Sequence, residues 1–238
     1  MFLEIGPGRG ALTRPLARLV TRVIAFEIDR DLAADLREDS LPRVTIRDGD
    51  FLDVSAAAIA AALSAEPRVR VAGNLPYNVA SPIMFKLLEL HASGIPLTDA
   101  TLMLQREVAD RLVSKPGTKE YGVLSVLIQQ RAAVEKMMSL PPGAFRPAPK
   151  VHSAVVRLRF HPPTPDPISQ GLFVALTQAI FTRRRKTLNN ALLAFEPSAR
   201  FAPSEALRAA RIDGTRRPET LSVTELAHLS DAYARAML

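Results

Sequence analysis

The chain has no cysteine at all. That absence excludes disulfides, thiolate metal sites and thiol nucleophiles in one step. Histidine is nearly as scarce: four residues, scattered and without an HExxH-type pairing, which argues against a zinc site. Apolar runs never reach the length of a membrane span, and the N-terminus lacks the shape of a signal peptide. A cytoplasmic protein with no membrane and no metal partner is therefore expected, and a monomer. Internal repeats and low-complexity tracts are also missing. So is the G-x-G-x-x-G spacing of the dinucleotide fingerprint.

What is present is an ordinary globular balance. The 238 residues are 47% hydrophobic and 23% charged, enough for one large domain with a small second one. The net charge of +7, carried mostly by arginine, is consistent with a polyanionic partner, although a basic soluble protein would also have it.

Strand and helix signals alternate over the first two thirds. Phe2–Ile5 is a short apolar strand followed by the glycine-rich turn GPGRG, and Leu12, Leu16 and Leu19 then recur at helical spacing. Strands are predicted at 22–28, 44–46, 68–72 and 101–104, and two late strands at 134–140 and 153–160 flank the Pro-rich loop PPGAFRPAPK. Helices are predicted from Asp29, a candidate N-cap, from Ser55, and at 121–130. The order implies an α/β fold, a Rossmann-like, mainly parallel doubly wound sheet with an antiparallel edge. The stretch HPPTPDP (161–167) blocks both helix and sheet and reads as a linker. Helical patterns then follow at 168–182, 186–195, 204–211 and 224–237. Two domains are expected: 1–161, which would bind the cofactor, and a small all-helical domain, 168–238.

The candidate site lies where strands end. Glu4 precedes Gly6 and Gly8, whose lack of side chains lets a ligand approach the backbone. A carboxylate there would repel a pyrophosphate but suits a ligand with a cationic part, such as S-adenosylmethionine. Glu27 ends the second strand, where a carboxylate can accept from both hydroxyls of a ribose. Asp50 follows the third, placed for an adenine amino group with Phe51 against the ring. Each carboxylate could singly be a solvated strand end or a turn. Three at successive strand ends on one sheet edge point to a nucleoside-containing cofactor. Asn74-Leu75-Pro76-Tyr77 stands where the fourth strand gives way to a helix, as either a turn or a site.

The segments EIGPGRGALT, FEID, GDFL and NLPYN, taken together, resemble the KsgA/RsmA group of ribosomal RNA adenine N6,N6-dimethyltransferases. Later segments agree over nearly the whole chain: LMLQREVADRL, KEYGVLSVLIQ, FRPAPKVHSAVVRL, FTRRRKTLNNAL and RRPETLSVTEL. The resemblance implies dimethylation of two adjacent adenines near the 3′ end of small-subunit (16S) rRNA, with S-adenosylmethionine as cofactor and a role in small-subunit biogenesis. The related large-subunit enzymes share the fold and usually have Ile where Leu75 stands. A non-catalytic rRNA-binding assembly factor would use the same surface.

The resemblance also implies residue roles. Asn74 and Leu75 would accept the two N6 hydrogens, Pro76 would stiffen the turn, and Tyr77 and Phe145 would flank the target base. Glu4, Gly6, Gly8, Glu27, Ile28, Asp50, Phe51 and Asn74 would hold the cofactor. Lys150 and the run Arg183, Arg184, Arg185 and Lys186 would meet RNA phosphate, although a charge run is commonly a solvated face. Members of the group carry a basic segment with a G-Q-x-F-L motif ahead of the first strand. This sequence begins at Met1-Phe2-Leu3, within that strand, so weaker hold on the cofactor's methionine end is expected.

Overall fold

The apolar strand segments assemble into one seven-stranded sheet in the computed structural model, which describes residues 1–63, 66–146 and 150–237. The strands are β1 (Phe2–Ile5), β2 (Val23–Glu27), β3 (Val44–Asp48), β4 (Val69–Asn74), β5 (Leu97–Gln105), β6 (Ala132–Leu140) and β7 (Ser153–Phe160), in the order β3-β2-β1-β4-β5-β7-β6. Pairings among β1 to β5 are parallel and β5–β7 is antiparallel, so the expected doubly wound sheet with an antiparallel edge is what forms. β2 is buried at all five positions, as a central parallel strand covered on both faces must be.

The register runs Ile5 beside Phe26 and Gly73, so the ends of β1, β2 and β4 lie side by side. β4 runs two residues beyond the predicted strand. A side chain at Gly73 would meet the Ile5 carbonyl oxygen at 2.8 Å, so only glycine lets β4 continue against β1 and carry Asn74 to the sheet edge.

The chain divides into two compact units, Met1–Ala109 with Ala133–Phe160, and Asp110–Ala132 with His161–Leu238. The first holds the sheet with α1 (Thr13–Leu19), α2 (Arg30–Glu38), α3 (Ala56–Leu63) and α4 (Ala80–Ala92); α5 (Arg106–Val113) crosses the boundary. Asp29 caps α2 by accepting from the Asp31 and Leu32 N–H groups, and the Ser55 hydroxyl accepts from Ala58 N–H at the start of α3. The core of this unit is built from Leu3, Ile24, Val71, Met84, Leu87 and Leu102, all fully buried.

The second unit is helical: α6 (Val123–Gln129), α7 (Gln170–Thr182), α8 (Leu188–Ala191), α9 (Pro203–Ala209) and α10 (Val223–Ala236). α10 opens with a reciprocal capping box between Ser222 and Glu225. Arg216 reinforces it, donating to Glu225 Oε1 at 2.5 Å and to the Thr220 carbonyl at 2.8 Å. Tyr233 on α10 packs edge-on against Phe195 and Phe201, and its hydroxyl meets Ser198 Oγ at 2.8 Å. Among the described residues no helix is long and apolar enough to cross a membrane.

Candidate functional site

A cavity of about 870 Å³ opens in the first unit at the carboxyl ends of the parallel strands. This is the edge where open α/β sheets bind ligands. The cofactor candidates Glu4, Gly6, Gly8, Glu27, Ile28, Asp50, Phe51 and Asn74 all line it, although they come from four separate strand ends.

Glu4 sits inside β1 and is 1% exposed. Its Oε2 has no hydrogen-bond partner among the described residues. Burial pushes its pKa up to about 7; the neighbouring Thr13 hydroxyl opposes the rise and the Glu27 carboxylate adds to it. A buried carboxylate with an idle oxygen is an unmet demand for a cation or donor. The ammonium end of S-adenosylmethionine would meet it, so this residue fits the cofactor.

Glu27 ends β2 with both oxygens engaged. Oε2 accepts from Gly8 N–H at 2.8 Å and Oε1 from Asp29 N–H at 3.0 Å. The carboxylate therefore holds the glycine turn as well as facing the cavity, with lone pairs left on both oxygens. Gly6 and Gly8 have φ of +67° and +54°, the left-handed region that suits glycine. The turn does not lead straight into helix: α1 begins at Thr13, three residues beyond Gly10.

Asp50 plays the part of a turn residue too, since Oδ1 accepts from Leu52 N–H at 2.8 Å. Among the described residues its other oxygen takes no hydrogen bond, although the carboxylate charge acts on Lys86. Phe51 is buried edge-on to Phe26, with ring centroids 5.7 Å apart, and forms an apolar wall. Ile28 projects at 66% exposure on the rim. Lys86, on α4, has no signature in the sequence, yet it fixes this turn. Its Nζ donates to the Leu52 and Val54 carbonyls at 2.5 and 2.6 Å and lies 5.3 Å from the Phe51 ring centre. Burial lowers its pKa, and Asp53, Asp50 and Glu89 counteract.

Asn74 is the last residue of β4, opposite Met103 of β5. Leu75 is buried at 1% exposure and its N–H donates to the Met103 carbonyl at 3.2 Å. The Val79 N–H closes the turn on the Pro76 carbonyl at 3.2 Å. Among the described residues nothing hydrogen-bonds the Asn74 side chain or the Leu75 carbonyl. Asn74 and Pro76 line the cavity, as does Phe145 from the loop after β6. Tyr77 stands outside the lining, 38% exposed, with its hydroxyl 3.3 Å from Ser153 Oγ. Thr101, Met103 and Val155 also line the cavity. Residues 101 and 103 could have been found from the alternation along β5, which puts them on one face.

The candidate RNA contacts are placed differently. Lys150 is exposed in the first unit; Pro147, Ala148 and Pro149 beside it lie outside the described residues. In the second unit a depression of about 790 Å³ has Lys119, Arg183, Arg184, Arg185, Lys186 and Arg217 on its walls. The run is not uniform. Arg184 pairs with Glu219 at 2.5 Å and donates to the Lys119 carbonyl at 2.7 Å, and Arg183 donates to the Asn190 carbonyl at 3.2 Å. Among the described residues no ion pair engages Arg185 or Lys186, and both are exposed.

The sequence profile of the family described as "Ribosomal RNA adenine dimethylase" matches residues 1–230. The chain is 43% identical over 236 residues to the "Ribosomal RNA small subunit methyltransferase A" of Laribacter hongkongensis, covering 98% of this chain and 85% of that one. The protein of the same name from Paracidovorax citrulli is 41% identical over 233 residues, with 98% and 87% coverage. Among solved structures, a dimethyladenosine transferase from Plasmodium falciparum superposes with a TM-score of 0.79 at 23% identity, over 100% of this chain and 90% of that one. The 23S rRNA methyltransferase ErmE does so at 0.68 and 26%, over 98% and 90%.

Proposed function

The chain belongs to the ribosomal RNA adenine dimethylase family, and from that premise we propose that it dimethylates N6 of two adjacent adenines near the 3′ end of small-subunit rRNA. S-adenosylmethionine is the cofactor and supplies the electrophilic methyl group on a sulfonium that is already a good leaving group. The observation that carries the reading is the Asn74 side chain, which no described residue hydrogen-bonds. It stands at the edge of the same cavity as the idle oxygen of Glu4 and the Glu27-braced glycine turn.

The chemical difficulty is the nucleophile. The N6 lone pair of adenine is delocalised into the ring. If Asn74 Oδ1 and the Leu75 carbonyl accept the N6 hydrogens, the nitrogen can become more tetrahedral and its lone pair turns outward. The turn is ready for that role before any base arrives, because the Leu75 N–H is fixed on Met103 and Pro76 limits the backbone. Tyr77 and Phe145 offer ring faces for a base taken out of its stack. No strong general base is required; alignment and hydrogen bonding are the main effects. A second transfer needs the same acceptors to hold an amine with one hydrogen left.

Cofactor holding divides among the strand ends. Glu4 meets the cationic amino-acid end, Glu27 the ribose hydroxyls, and Asp50 with Phe51 and Ile28 the adenine. Exposed cations contribute the salt-dependent part of RNA affinity, Lys150 in the first unit and Arg185 and Lys186 in the second.

Both relatives quoted above are named for the small subunit, which favours that substrate over the large-subunit alternative. Undermethylated small subunits and large subunits, each incubated with the protein and labelled S-adenosylmethionine, test the proposal. The expected product is N6,N6-dimethyladenosine at two neighbouring positions of the small-subunit rRNA only. Label in large-subunit rRNA alone would refute the assignment. Tight subunit binding with no label in either would point to the assembly-factor reading.

A further inference from the structure

Tyr77 presents a puzzle of its own. Its ring is 38% exposed on a turn, where an aromatic side chain with two free torsions would sample several rotamers. Stacking on a base demands one. The ring is held at its far end: the phenol oxygen lies 3.3 Å from the hydroxyl of Ser153.

Ser153 is well suited to hold something still. It is the first residue of β7, opposite Gln105 of β5, and is 2% exposed. The carbonyl of the preceding His152 accepts from Arg106 N–H at 2.9 Å, so the chain is fixed on both sides of the sheet register. Its hydroxyl is buried, and among the described residues Tyr77 is its hydrogen-bond partner. Two residues on, Val155 lines the cavity and lies opposite Met103, whose carbonyl takes the Leu75 N–H. Adjacent strands thus anchor the same turn twice, β5 by its backbone and β7 by its aromatic ring.

We propose that Ser153 is a positioning residue for methyl transfer: through the Tyr77 hydroxyl it sets the ring plane on which the target adenine stacks. The inference rests on the base-stacking reading of Tyr77. Pre-setting the ring removes a rotamer cost that would otherwise fall on base capture. The effect belongs to capture of the base and not to cofactor binding, because neither hydroxyl lines the cofactor cavity.

The test compares Ser153→Ala, Tyr77→Phe, the double variant and Ser153→Thr. The chain has three tyrosines, so 3-fluorotyrosine labelling gives three ¹⁹F resonances, and the one lost in Tyr77→Phe is assigned to Tyr77. Ser153→Ala should move that resonance and leave the other two. Each single variant should lower the single-turnover rate at sub-saturating small subunits about 3- to 10-fold, as loss of one neutral hydrogen bond allows. Calorimetric affinity for S-adenosylmethionine should stay the same. The double variant should be no worse than the poorer single, since both remove one contact. Ser153→Thr, which keeps the hydroxyl, should recover most of the rate. Additive losses, an unmoved Tyr77 resonance, or an equal fall in cofactor affinity would overturn the proposal. A chain that methylates no adenine even unmutated would refute the function itself, and the resonance result would still stand on its own.

Discussion

Replacing Glu4 by glutamine should make the free protein more stable and the cofactor bind more weakly. The opposite signs follow from one feature. The carboxyl group is buried, Oε2 has no hydrogen-bond partner among the described residues, and burial raises its pKa from the ordinary carboxyl value of 4.5 to about 7. A raised carboxyl pKa means that the folded chain binds the proton more tightly than the unfolded one. Stability from this group is therefore greatest below the unfolded pKa and falls as pH rises from there through 7. The full loss is about 3 kcal/mol, an order-of-magnitude figure at about 1.4 kcal/mol per pKa unit. Glu4→Gln removes that penalty, so its gain in thermal stability should be larger at pH 8 than at pH 5.

For a cationic ligand the dependence reverses. The ammonium group needs the ionised carboxylate, so protons compete with the cofactor. Between pH 7.5 and 5.5 affinity should fall roughly 20-fold for a group titrating near 7. In Glu4→Gln the fall should vanish, and affinity at pH 7.5 should be lower by about 10- to 100-fold, the scale of a charge-assisted contact. Calorimetry with S-adenosylmethionine at three pH values and thermal melts without it measure both effects. A pH-independent affinity in the unmutated chain, or a glutamine variant that binds as well as the parent, would refute the placement of the amino-acid end at Glu4.

The other expectations are smaller in scope. Glu27→Ala should weaken cofactor binding by about 1–3 kcal/mol, and Glu27→Gln by less, since the carboxylate also braces Gly8; equal affinities by calorimetry would remove Glu27 from the site. Arg185→Ala with Lys186→Ala should flatten the slope of log RNA affinity against log salt by about 1–2, whereas Arg184→Ala should chiefly lower the melting temperature by loosening Glu219 and the 118–119 backbone; a reversed pattern would contradict the assignment of the cations. Gly73→Ala should destabilise the sheet by about 1–3 kcal/mol in a denaturant titration, because the new methyl group meets the Ile5 carbonyl; an unchanged midpoint would show that β1 and β4 can separate.

Much of this was readable beforehand, for physical reasons that can be named. Short continuous apolar runs such as VIAFE announce strands buried on both faces, and Asp29 and Ser55 announce the helices that follow them. The strand pattern places Glu27 at the end of β2, Asp50 just beyond β3 and Glu4 one residue before the end of β1, and the strand order brings all three to one cavity. What could not be read depends on contacts distant along the chain. The sequence pattern ends β4 at Ala72 because glycine and asparagine favour turns, whereas the missing side chain at Gly73 lets the strand run on against Ile5 to Asn74. The run at 183–186 looks uniform until Glu219, 35 residues from Arg184, takes one member out of it. Lys86 reaches carbonyls 32 and 34 residues away, and no local pattern encodes that. The Pro-rich stretch at 161–167 marks one passage between the compact units, but nothing in composition marks the excursion of 110–132.

The measurement closest to the central claim is single-turnover methylation of undermethylated small subunits by Asn74→Ala, with mass detection of N6-methyl- and N6,N6-dimethyladenosine. Asn74→Ala removes one acceptor for the amine and leaves the rings, the glycine turn and the exposed cations in place. The rate should fall roughly 100-fold or more, the scale for losing one preorganised polar contact, while subunit affinity barely changes. Full dimethylation at the parent rate would contradict the role given to Asn74 and, with it, the account of how this cavity activates adenine.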